Sequence, residues 1–242
     1  MWLEARNLQL EIVRDALNRV FKTINNDGKF TVQKFNRNDV DIITREPIRE
    51  GFLSLYRYRL RHRLFAGGWS PEFEREIMDR GHAVVVIPYD PERDCYVVLE
   101  QFRIGALDES EQHDLSPWLL EFVAGMIDVP GETPEAVAAR ELDEEAGLTA
   151  SHFHYALTYL SSPGGCTEKI TIYVATVDSS KAAQQGGLAS ENEDIRVHVI
   201  PRIDVEHLLE HGKINNAASV IGLQWMQLHR QRVVQWWQQN KV

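Results

Sequence analysis

Gly131-Glu132-Thr133-Pro134-Glu135-Ala136-Val137-Ala138-Ala139-Arg140-Glu141-Leu142-Asp143-Glu144-Glu145-Ala146-Gly147-Leu148 reads as one short helix with marked ends. Thr133 is suited to an N-cap and Pro134 to a first turn, while Gly147 supplies a left-handed stop. Glu141, Glu144 and Glu145 stand at i, i+3 and i+4, so three carboxylates share one helix face. Like charges at i, i+4 destabilise an isolated helix by about 0.2–0.5 kcal/mol per pair, and a polyvalent cation would turn that repulsion into attraction. An oxygen-only ligand set favours Mg²⁺ or Mn²⁺ over zinc, and Mg²⁺ is usually shared with substrate phosphates.

Outward from this helix the chain alternates apolar runs with turn chemistry. His82–Ile87 and Tyr96–Leu99 predict a strand–loop–strand unit around Pro88–Asp94. Residues 105–117 read as a polar loop, and Trp118–Val123 as one further strand. Beyond the helix, strands are expected at 153–160 and 170–177, across the turn Ser161-Ser162-Pro163-Gly164-Gly165. A Gly/Ser-containing loop near 179–190 leads to an alternating strand over Ile195–Ile200, then helices over 203–211 and 216–239. Upstream, residues 3–24 carry an amphipathic stripe that ends at Asn25-Asn26-Asp27-Gly28, and residues 29–65 are rich in strand formers. The order predicts an α+β architecture with helices packed on a mixed sheet.

Composition bounds the function. No apolar run approaches the length of a membrane-spanning helix. The N-terminus lacks a basic start followed by an apolar stretch, which argues against a secretory signal. Cys95 and Cys166 make no disulfide framework, so a reducing, cytoplasmic setting is expected. The formal charge of −10 argues against nucleic-acid binding, and a phosphate substrate would need cations or placed arginines to reverse the field locally. Tyr56–Arg63 interleaves aromatic and basic residues, but reads as a strand with one solvated face. The glycine pairs at 67–68, 164–165 and 186–187 form no phosphate-binding fingerprint. His152 and His154 read as surface histidines, and no histidine supports Cys166 as a nucleophile.

The pattern Glu-x₇-Arg-Glu-Leu-x-Glu-Glu-x-Gly-Leu over residues 132–148 resembles the signature of Nudix hydrolases. Gly125 stands seven positions before Glu132 rather than the usual six of that signature, because Asp128-Val129-Pro130-Gly131 is one residue longer. Segments 80–83, 100–103, 117–121, 123–127, 162–165, 191–197 and 215–220 extend the likeness to the bacterial ADP-ribose pyrophosphatases of the superfamily. This resemblance implies an α/β/α sandwich with a mixed sheet, plus an N-terminal antiparallel region swapped in a homodimer. The corresponding divisions are an extension at 1–28, a dimerisation region at 29–75 and a hydrolase domain at 76–242. It implies Mg²⁺-dependent (Mn²⁺ as the variant) hydrolysis of ADP-ribose to AMP and ribose 5-phosphate.

By the same resemblance Glu141, Glu144, Glu145, the Ala124 carbonyl and Glu193 would be metal ligands, and Arg140 would pair with Glu132. Glu191 would be the general base, with Glu168 as the alternative base or a substrate contact. Arg103 and Arg75 would bind substrate and Phe52 would stack on adenine, the last two serving the partner's site. Competing readings are a pyrophosphatase for another nucleoside diphosphate sugar, such as GDP-mannose, and an ADP-ribose-binding regulator. The second would need a DNA-reading module, which does not follow the 216–239 helix.

Overall fold

The structure is a computed structural model that describes residues 35–107 and 116–240. The helix expected over 3–24, its glycine stop, and Phe30 and Val32 lie outside the described residues. Two compact units divide the described chain: residues 35–45 with 58–74 form one, and the remainder forms the other. Strands β1 (Val40–Arg49), β2 (Ser54–His62) and β3 (Phe73–Asp79) form a three-stranded sheet in that order. Sequence reading expected strands in 29–65 but not β3, whose Glu74-Arg75-Glu76 run is exposed. Within the smaller unit Phe35 packs 5.2 Å from Phe65, Arg61 pairs with Asp41 at 2.8 Å, and Arg63 lies over the Trp69 ring.

The larger unit is built on an eight-stranded sheet. Its strands are β4 (Ala83–Asp90), β5 (Cys95–Phe102), β6 (Trp118–Glu121), β7 (Val123–Met126), β8 (His152–Leu160), β9 (Lys169–Thr176), β10 (Gln185–Gly186) and β11 (Ile195–Pro201). The main order is β10-β11-β5-β4-β9-β8, with β6 on β5 and β7 on β4. Only β4–β9 is parallel, so the sheet is mixed.

The β4–β5 hairpin pairs just at Tyr89–Tyr96 and Asp90–Cys95 before its arms part. Into that gap run β6, paired with Leu99–Phe102, and β7, paired with Ala83–Val86. The single strand expected over 118–123 is thus two strands, broken at Phe122, which is 1% exposed. An uninterrupted apolar run cannot reveal such a break, because each half is buried by a different partner.

Side-chain alternation along β4 fills two cores. Val84 and Val86 pack with Val97, Leu99 and Val123 under helix α1 (Pro134–Ala146), through its Val137, Ala138, Leu142 and Ala146. Val85 and Ile87 face α2 (Arg202–Glu210) and α3 (Ala217–Asn240), through Val205, Leu223, Met226 and Val233. The result is three layers, α/β/α. Full burial of each such aliphatic side chain contributes about 1.5–3 kcal/mol. Helix α1 is capped as expected: Thr133 Oγ1 accepts from the Ala136 amide at 3.2 Å, and Gly147 is left-handed at φ 62°. Asn216 accepts from the Ser219 amide at the start of α3 and donates to the Leu120 carbonyl, tying that helix to β6.

Candidate active site

Helix α1 lies so close to β7 that its position depends on glycine. A Cβ at Gly125 would overlap the Glu141 carboxyl. One turn further along, at the C-terminal end of the helix, a Cβ at Gly186 would overlap the Glu145 carbonyl. The Gly187 amide donates to the Glu144 carbonyl at 3.1 Å and the Ala183 amide to Ala146 at 2.9 Å, so the 183–187 segment is tied to the end of α1. The acidic face of α1 is thereby held between β7 and the loop that precedes β11.

Glu145 is 1% exposed, and its Oε2 accepts from the Ala124 amide at 2.9 Å. Burial pushes its carboxyl up to about 8, opposed by that amide and reinforced by the charges of Glu141 and Glu193. Glu141 is pushed up to about 7, again by burial first; Arg140 lowers it and Glu144 raises it. Arg140 contacts three carboxylates: Glu141 at 2.7 Å, Glu144 at 3.2 Å and Glu132 at 3.5 Å. Sequence reading paired Arg140 with Glu132 alone. The structure adds the two helix acids, at i+1 and i+4. The second Glu132 oxygen is buried without a hydrogen-bond partner among the described residues.

Glu193 is half-buried and accepts from the Leu188 amide at 3.1 Å. Its charge acts on both Glu141 and Glu145. Glu191 ends a 3-10 turn, Ala189–Glu191, and is exposed; Asn192 follows in the left-handed region at φ 58°. Arg103 donates through Nε to Glu121 at 2.7 Å, and its charge lowers the Glu145 carboxyl. Glu168 is 6% exposed, with Arg80 Nε at 3.3 Å, a setting for a held side chain rather than a mobile base. Phe52 is 91% exposed on the β1–β2 connection, and Arg75 is exposed on β3.

As they stand, no three acidic, histidine or cysteine side chains among the described residues form a metal cage. The guanidinium of Arg140 takes Glu141 and Glu144, and the Ala124 amide takes Glu145. The donor set nevertheless suits a hard divalent cation. It is all oxygen and partly buried, and burial first, with the neighbouring acids added, raises two of its carboxyls well above their ordinary range.

Glu121 and Gln101 went unmarked as site residues in the sequence. Glu121 closes the quoted 117–121 segment, but only the β5–β6 register shows which face it joins.

Comparison with known proteins agrees with this architecture. A family model described as NUDIX domain matches residues 79–230. A protein of Escherichia coli (strain K12) named ADP-ribose pyrophosphatase is 54% identical over 203 residues, covering 84% of this chain and 95% of that protein. One of the same name from Haemophilus influenzae is 44% identical over 209 residues, covering 86% and 95%. A solved structure titled as an ADP compounds hydrolase shares the fold at TM-score 0.60 and 23% identity, over 88% of this chain and 100% of that one.

Proposed function

The chain belongs to the NUDIX family, and from that premise we propose that it hydrolyses the diphosphate bridge of ADP-ribose, with water, to AMP and ribose 5-phosphate. The observation that carries the reading is the buried Glu141–Glu145 pair pressed against β7 at Gly125. The names and high identity of the two bacterial relatives support the choice of substrate.

Glu141, Glu144, Glu145, Glu193 and the Ala124 carbonyl would hold Mg²⁺, or Mn²⁺ in its place. When bound, such an ion screens charge on phosphoryl oxygens and makes water a better nucleophile. Arg140 orients Glu141 and Glu144 through two ion pairs and ties them through a third to Glu132 on the preceding loop. Glu191, exposed on the turn that precedes Glu193, accepts the proton of the attacking water. Arg103 takes phosphoryl oxygens, and Glu168, held by Arg80, contacts the substrate. Phe52 stacks on adenine and Arg75 contacts substrate in the second subunit's site, with residues 29–75 as the dimerisation region and 76–242 as the hydrolase domain. The exposure of Phe52 in a single copy fits this role. Two free thiols and an acidic surface suit a cytoplasmic enzyme.

Incubation of the purified full chain with ADP-ribose and Mg²⁺ should yield AMP and ribose 5-phosphate in equal amounts by chromatography. Absence of AMP with either Mg²⁺ or Mn²⁺ would remove the reading, and faster turnover of GDP-mannose would reassign the substrate.

A further inference from the structure

Two polar side chains on the same sheet face, one buried and one largely so, have no task in the reaction. In the β5–β6 register Glu121 lies opposite Leu99, and Gln101 opposite Leu119. Directly opposed residues of an antiparallel pair project to one face. Leu99 belongs to the core beneath α1, so Glu121 and, two positions along, Gln101 stand on the α1 side of the sheet.

The Glu121 side chain is 13% exposed and accepts from Arg103 Nε at 2.7 Å. Fixing Nε fixes the plane of the guanidinium, and with it the fork of terminal nitrogens that meets phosphate oxygens in pairs. Arg103 in turn lies within electrostatic reach of Glu145. Gln101 is 4% exposed, and its Nε2 has no hydrogen-bond partner among the described residues. A buried amide donor left unpaired is costly, because it gives up its water without a replacement. Such a group calls for a partner that the bare protein does not supply, and a bound ligand or its water is one that would.

We propose that Gln101 and Glu121 form, with Arg103, a shelf that positions the diphosphate of the substrate. Glu121 is a positioning residue that sets the guanidinium plane of Arg103. The Gln101 amide donates to a phosphoryl oxygen, directly or through one water. The shelf rests on the ADP-ribose reading given above.

The test is steady-state kinetics on ADP-ribose together with thermal unfolding. Glu121→Gln should raise KM about tenfold with kcat changed by less than about threefold, the pattern of lost uniform binding. In an Arg103→Ala background the same substitution should add nothing, because Glu121 acts through that arginine. Gln101→Leu should raise KM several-fold without lowering Tm, since it removes an unpaired donor. A merely structural glutamine would show the reverse, a lower Tm at unchanged KM. Should Glu121→Gln fail to fold, Glu121→Asp, which keeps the charge but withdraws it, carries the same expectation for KM.

An unchanged KM in the Glu121 variant, or full additivity with Arg103→Ala, would overturn the role of Glu121. An unchanged KM in Gln101→Leu would overturn that of Gln101. Failure of the unsubstituted enzyme to turn over ADP-ribose would instead remove the reading on which the shelf stands.

Discussion

Glycine at 125 decides where the Glu141 carboxyl can lie, because any side chain there would occupy the same space. Gly125→Ala should therefore push Glu141 off its position. A displacement of about 1 Å at a reacting centre can cost about 10²-fold in rate, and a loss of that order in kcat is expected. Overpacking adds a destabilisation of about 1–3 kcal/mol, measurable by urea unfolding. Wild-type kinetics in this variant would mean that Glu141 has no required place. Glu191 differs, being exposed on its turn. Glu191→Gln should lower kcat by about 10²–10⁴, the range of a general base, with an unchanged melting curve. A near-normal rate would transfer the role to another acid. At this scale the sequence revealed residue types and one pairing, Arg140 with Glu132, but not the others. That Arg140 also grips Glu141 and Glu144, and that Gln101 lacks an acceptor among the described residues, follow from distances no motif encodes.

Elements with strong local signals were the legible ones. Helix α1 announced both ends, through Thr133 and Gly147, because capping is local chemistry. The break between β6 and β7 is set by which strand each half meets, and β3 by partners that a charged segment does not advertise. The edge strand β8 offers a test of a contact that the sequence reading left on the surface. His152 stacks on Trp236 of α3 at 4.1 Å; His154 sits edge-on to the same ring, with Nε2 3.2 Å from Thr176 Oγ1. Burial, then the charges of His152 and Arg232, lower His154 to about 4. A histidine depressed in the folded state binds its proton more readily unfolded, so stability is lost as pH falls from about 6.5 through 4. Thermal unfolding from pH 7 to pH 4.5 should show that loss, and His154→Gln should flatten its slope. An equal slope in both proteins would remove His154 as the cause.

For the whole molecule, the charge of −10 and the buried acids pull the same way. Glu141 and Glu145, raised to about 7 and 8, resist ionisation in the folded chain. In chelator, their share of stability should decline as pH rises from the ordinary carboxylate range towards 8, because the unfolded chain releases those protons first. Mg²⁺ needs the ionised forms, so the rise in Tm on adding it should be larger at pH 8 than at pH 6. Differential scanning calorimetry would check this, and equal shifts at the two values would exclude both acids as ligands. Among the described residues no helix is long and apolar enough to cross a membrane. The link between β7 and α1 absorbs its additional residue in an exposed turn, where Gly131 takes φ 86° and the Glu132 amide donates to Val129. On either side of this turn Gly125 packs against Glu141 and Thr133 caps α1, so both anchors are made with the longer link. A genome survey keyed to a fixed-length pattern would therefore pass over chains like this one and undercount the lineage, whereas one that lets the gap vary would recover them.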